Sequence, residues 1–303
     1  GNHNFQNLST GLGDLVAEVQ ASGDRTPVEE YHSDLTLAHG VRFAWVGGLS
    51  GVVGQDRAYG IRDYSADVRQ KHGVLPALRA GVGALVRRAV RRPFLPSHAR
   101  DNDLIRPLVL RDGAQIIEFC RFLPDRRWGR DWGDDLKYAL DERTLDSLEV
   151  TQGSIVVYVH MGKKRIPEIL SPMTIARLSD LQGRFERGRI RVTTTSRLLQ
   201  YNRAWRYLSW GWSEEGDDVT ITIRGFEDPV GGPVSPEDFQ GLTWYVPRQG
   251  RVTVVLRDVG HIQTERNPKD HTGRDSVSIP VRPLNPDAWL SSYGSSSKGD
   301  SPR

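Results

Sequence analysis

Between residues 131 and 199, short β-branched runs alternate with stretches of helical spacing, and this alternation narrows the possible folds more than any other feature of the chain. Leu136, Leu140, Leu145 and Leu148 recur at helical steps, and Ile155-Val156-Val157-Tyr158-Val159 then forms a short apolar run. Such a run suits a strand buried on both faces. Ile175, Leu178, Leu181 and Phe185 mark a second helix, opened at Ser171-Pro172 and stopped by Gly188. A strand over 189–194 and a helix over 196–207 complete the series. Strands alternating with helices predict βαβ units and a parallel sheet.

The flanks read differently. Val41 to Val46 alternate apolar and polar residues before Gly47-Gly48, which predicts a strand and turn with residues 49–55 as the hairpin partner. Strands are expected at 108–111 and 115–122 around an Asp112-Gly113 turn. After Trp212 helical spacing stops, and turn-separated strands at 218–224, 242–246, 251–257 and 276–281 predict a small all-β module. The Ser/Gly/Pro-rich residues 291–303 are expected to be disordered. At 303 residues the chain has room for about two domains.

Composition excludes several classes. No run of eighteen apolar residues occurs, so a transmembrane helix is not expected. A single cysteine, Cys120, excludes an internal disulfide framework and a cysteine-based zinc finger. The net charge of +3 is small, so nucleic acid is not expected as a partner. Residues 68–100 nevertheless carry eight Lys or Arg and no acidic residue, with Leu75, Leu78, Val82, Leu85 and Val86 at helical steps. This basic amphipathic stretch can meet an anionic polymer, or it can be a solvated face.

Three places carry groups suited to chemistry. His160 sits where the apolar run ends, and ligand sites in parallel α/β sheets form just beyond the carboxyl ends of strands. An imidazole there can act as general acid, or it can hydrogen-bond the next loop. Residues 121–135 crowd Arg121, Trp128, Asp131, Trp132 and Asp134 into one loop. Trp offers a face for a sugar ring while Asp and Arg fix hydroxyls, which together suit a saccharide. The same composition also suits a Trp-anchored loop, with Asp131 or Asp134 capping the next helix. Near the start, His3 and the amides of Asn4 and Asn7 form a third cluster, in which His3 can contribute to a divalent metal site and the amides to substrate. Turns are the simpler reading of this cluster and of Tyr31-His32-Ser33-Asp34, and His261 and His271 are expected on loops.

The order of parts from about Ile116 to Tyr201 resembles the C-terminal half of the polysaccharide deacetylase family: a Trp/Asp loop at Asp131-Trp132, a helix, a strand closing in His160, a helix, Arg187-Gly188, a strand, and a helix with Leu198-Leu199. The resemblance implies a distorted (β/α) barrel, incomplete at its N-terminus, over residues 1–212. An insertion would fall at about 41–110 and the β-module at 213–290. It also implies that His160 is the catalytic acid, that Asp131 tunes it and that Trp132 stands beside it, while Arg121, with Pro124 three residues on, loosely resembles the family's Arg-x-Pro motif. The family's Asp-Asp motif and His-x-x-x-His pair have no counterpart here. Either that strand lies before Gly1, with His3 near its remnant, or this branch has given up the metal.

The leading expectation is thus a carbohydrate-active hydrolase that removes an N- or O-acyl group with water activated by a divalent metal, zinc or similar. Its site would be His160 and Asp131, with Trp128, Trp132, Arg121, Asn4 and Asn7 on the saccharide and His3 on the metal. The alternative is a non-catalytic saccharide-binding protein on the same scaffold.

Overall fold

The computed structural model describes residues 37–38, 40–45, 49–50, 53–55, 74–75, 78, 82, 103–109, 113–123, 132–161, 170–232, 234–270 and 272–283. The chain divides into two compact units. Unit 1 comprises Gly1–Leu199 with Asp228–Val230, and unit 2 comprises Gln200–Glu227 with Gly231–Arg303.

In unit 1, strand β4 (Gln115–Phe119) is the centre of a mixed sheet. On one side it pairs antiparallel with β3 (Ile105–Val109), the two joined through Gly113 in the left-handed region that favours glycine. On the other side it pairs in parallel with β1 (Phe43–Ala44). After Cys120 the chain continues as β5 (Arg121–Phe122), parallel to β2 (Leu49–Ser50). Residues 49–50 are therefore not the hairpin partner of 43–44, because each short strand finds a separate parallel neighbour. Opposite each other on β3 and β4, Arg106 and Glu118 form an ion pair at 2.7 Å.

The run before His160 runs alongside β5 and its neighbouring segments through single bridges: Ser154 to Gln55, Val157 to Phe122, and His160 to Trp132. Its odd-numbered side chains, Ile155 and Val157, pack on a helical layer centred on Leu140, Leu145 and Leu148. That layer consists of α1 (Leu136–Ala139), α2 (Glu142–Thr151) and α3 (Pro172–Glu186). The helical spacing of Leu136, Leu140, Leu145 and Leu148 is broken at Leu140-Asp141 into two helices. There the Asp141 carboxylate accepts from the Thr144 N–H at 2.8 Å and starts α2 as its N-cap. Ser171 caps α3 in the same way, with Pro172 in its first turn. Between α2 and the His160 run, Gly153 lies so close to the backbone of Gly54 that a Cβ there would overlap it.

The expected (β/α) barrel is corrected by this architecture. Among the described residues unit 1 has short sheets of two and three strands, and no closed barrel. The β3–β4 hairpin makes the sheet mixed, and residues 189–194 form no strand where the alternation required one. Val74, Leu75, Leu78 and Val82 of the basic stretch are helical and exposed.

Unit 2 takes in the second part of α4 (Thr195–Tyr207) and two sheets around one apolar core. The larger has the order β10-β9-β7-β6, from β6 (Leu208–Glu215), β7 (Asp218–Phe226), β9 (Val252–Leu256) and β10 (Gly260–Ile262). The smaller has the order β11-β12-β8, from β8 (Thr243–Tyr245), β11 (Glu265–Asn267) and β12 (Ser276–Ser278). Val219, Ile221 and Ile223 alternate inward along β7, as the period of two requires. Among the described residues no helix is long and apolar enough to cross a membrane.

Candidate functional site

The period of two also builds the candidate site. Val156, Tyr158 and His160 share one face of their strand, and burial falls away along it from Val156 to the exposed Tyr158. The Tyr158 and His160 rings meet edge to face, 4.9 Å between centroids, with the Tyr158 hydroxyl 3.3 Å from Nδ1. Arg121, on the neighbouring β5, brings its guanidinium carbon to 4.1 Å from the centre of the Tyr158 ring and 3.1 Å from that of Trp45, just beyond β1. Three parallel chain segments therefore contribute one aromatic–guanidinium–aromatic stack with an imidazole at its end. Planar faces, a fixed cation and a polar ring edge are the kinds of group that contact flat or ring-shaped ligands.

The Trp/Asp loop approaches the same strand end through its backbone. The Gly133 N–H donates to the His160 carbonyl at 3.1 Å, so Trp132 lies on the segment beside His160. Gly133 is buried where a Cβ would press on the Met161 sulfur. Asp134 plays a different part from capping its own helix. Its Oδ1 accepts from the Ser171 N–H at 2.8 Å and the Thr174 hydroxyl at 2.6 Å, and its Oδ2 pairs with Lys137 at 2.5 Å. The Lys137 ammonium foremost, then Ser171 and Thr174, hold the Asp134 carboxyl well below the usual carboxylate range. Asp134 thus fastens the start of α3 to the turn at Gly133–Asp135.

Of the expected site residues, the structure places His160, Arg121 and Trp132 at one end of the sheet, with Arg121 and His160 sharing Tyr158. Asp131, Trp128, His3, Asn4 and Asn7 lie outside the described residues. Trp45 and Tyr158 belong to the site and were not expected. Tyr158 was within reach of pattern reasoning, because it stands two residues before His160 and shares its face. Trp45 was not, because its approach depends on the long-range pairing of β1.

Three curated proteins are similar to this chain over part of its length. Each carries the name Transcription factor CP2-like protein 1, from Pongo abelii, Mus musculus and Homo sapiens. Each is 25% identical over 151 residues, 48% of this chain. The match covers 32% of the Pongo abelii protein and 30% of the other two, so it spans about a third of these relatives' length. No family model matches, and no solved structure does. The expectation of a metal-binding hydrolase of carbohydrate metabolism is corrected here. The similar proteins are transcription factors by name, which points away from that class. Among the described residues, no group of three or more His, Cys, Asp or Glu is placed to hold a metal ion.

Proposed function

We propose that unit 1 is a non-catalytic saccharide-binding module, with Trp45, Arg121, Tyr158 and His160 as its platform. The observation that carries this reading is the contact of one guanidinium with two aromatic rings at a strand end. The exposed Tyr158 ring can take the C–H side of a sugar ring, while the guanidinium and imidazole edges take its hydroxyls.

A nucleic-acid ligand is a second reading, favoured by the transcription-factor names of the similar proteins. Aromatic rings and Arg also stack on bases. One set of binding measurements separates the two, using the full chain with chitin, cellulose, and single- and double-stranded oligodeoxynucleotides. The saccharide reading expects retention on a polysaccharide that Tyr158→Ala weakens about tenfold or more. Salt-dependent binding of an oligonucleotide with no polysaccharide retained would overturn it in favour of the second reading. No binding to any probe would overturn both.

A further inference from the structure

We propose that unit 2 carries a separate binding site on its edge strand β6, for a saccharide chain that is neutral or bears amines. The inference does not depend on the reading of unit 1. It starts from the run Leu208-Ser209-Trp210-Gly211-Trp212-Ser213-Glu214-Glu215. Register places Trp210 opposite Ile223, Trp212 opposite Ile221 and Glu214 opposite Val219, so all three lie on the face that β7 turns to the core. Ile221 and Ile223 are fully buried there, yet Trp210 is 41% exposed and Trp212 38%. The inner face of the sheet thus runs out past its cover and ends in two indoles.

The platform is held in place. Trp210 packs on Trp244 of β8, with ring centroids 6.1 Å apart. The Arg224 guanidinium lies against Gly211 on the opposite face and donates to the Trp210 carbonyl at 2.9 Å. Trp212 donates its indole N–H to the Glu214 carboxylate at 2.7 Å. Side chains two apart on a strand are separated by about 7 Å, a spacing that offers successive faces to successive rings of a chain.

Charge selects the occupant. Glu214 shares the face of the two indoles, Arg224 lies on the other face, and Glu215, Asp217 and Asp218 follow at the turn, so residues 208–218 carry four carboxylates and no Lys or Arg. A polyphosphate or other polyanion is repelled here, while hydroxyls and ammonium groups can donate to Glu214, which already stands at the rim of the indoles.

The test uses the full chain and soluble oligomers of N-acetylglucosamine, their deacetylated forms and cello-oligomers, with binding read by calorimetry and by indole fluorescence. We expect saturable binding that Trp212→Ala weakens about tenfold or more. Glu214→Gln, which leaves the core untouched, should weaken the amine-bearing oligomers more than the neutral ones. Tyr158→Ala serves as the control for unit 1. Loss in Trp212→Ala with Tyr158→Ala unchanged supports the β6 site and leaves the unit 1 reading to fail alone. Loss in Tyr158→Ala with Trp212→Ala unchanged overturns the β6 site and leaves unit 1 standing. Absence of binding to every oligomer, or equal loss of amine-bearing and neutral forms in Glu214→Gln, also overturns it.

Discussion

The guanidinium carbon of Arg121 lies 3.1 Å from the centre of the Trp45 ring. β5 and β1 supply these two groups from distant parts of the sequence, and each strand is only two residues long. The stack therefore links two short elements that few backbone hydrogen bonds secure. Arg121→Lys keeps the charge and loses the plane that covers the indole. We expect it to destabilise unit 1 by about 0.5–2 kcal/mol, the range of a cation–π contact. A shift in the urea midpoint together with altered Trp emission checks this, and an unchanged midpoint would count against the stack as a stabilising contact.

Asp134 makes the stability of unit 1 depend on acid. Its folded carboxyl titrates below the ordinary value, chiefly through Lys137, and the ordinary value for an unfolded Asp is about 3.9. The folded state thus binds fewer protons than the unfolded one between those two values. The stability from Asp134 is fully present above about pH 4 and is lost as the pH falls through the lower, folded value. Asp134→Asn should be less stable than wild type at pH 7, and the gap should be narrower at about pH 3, on the way to vanishing at still lower pH. Urea midpoints of both proteins at the two pH values measure it, and a gap that stays constant would refute it.

Arg184 joins α2 to α3 through a three-carboxylate cluster. It is buried, and its guanidinium reaches Asp146 at 2.8 Å, Glu149 at 2.9 Å and Asp180 at 3.2 Å. Burial works against the charged form, but the hydrogen bonds to Asp146, Asp180 and Glu149 outweigh it and raise the group above its ordinary value. Arg184→Ala leaves three carboxylates facing one another. We expect a loss of about 2–3 kcal/mol, short of the full penalty for a broken buried pair because Asp146 is 59% exposed. Arg184→Lys should recover only part of it, since one ammonium cannot match the fork. Chemical denaturation of the two variants gives the ordering.

Local chemistry was legible and pairing was not. Ser171-Pro172 announced α3, the β-branched run announced the approach to His160, and the alternation along β7 was visible because burial on one face writes itself every second residue. β6 escaped notice because its Trp-Gly-Trp run lies at the end of a helical pattern and two of its inward residues are aromatic rims rather than aliphatic core. The barrel expectation failed at the point where local signals end. Gly47-Gly48 looks like a hairpin turn, yet β1 and β2 pair with β4 and β5, partners that no window around residue 47 contains. The site divided along the same line, with Tyr158 readable from its spacing to His160 and Trp45 reachable only through a parallel pairing.

The contact between Gly54 and Gly153 gives two distant positions a shared evolutionary fate. Ser154 and Gln55 exchange backbone hydrogen bonds immediately beside it, at 2.8 and 3.2 Å, so the segments cannot separate to admit a side chain without breaking that pairing. A substitution at residue 153 is thus coupled to the course of the chain around residue 54, and neither position can drift alone. In a broad set of relatives of this chain, the two should be retained or replaced together. Any lineage that places a larger residue at 153 should also have reshaped the loop at 54 and released the buried Gln55 from its place beside it.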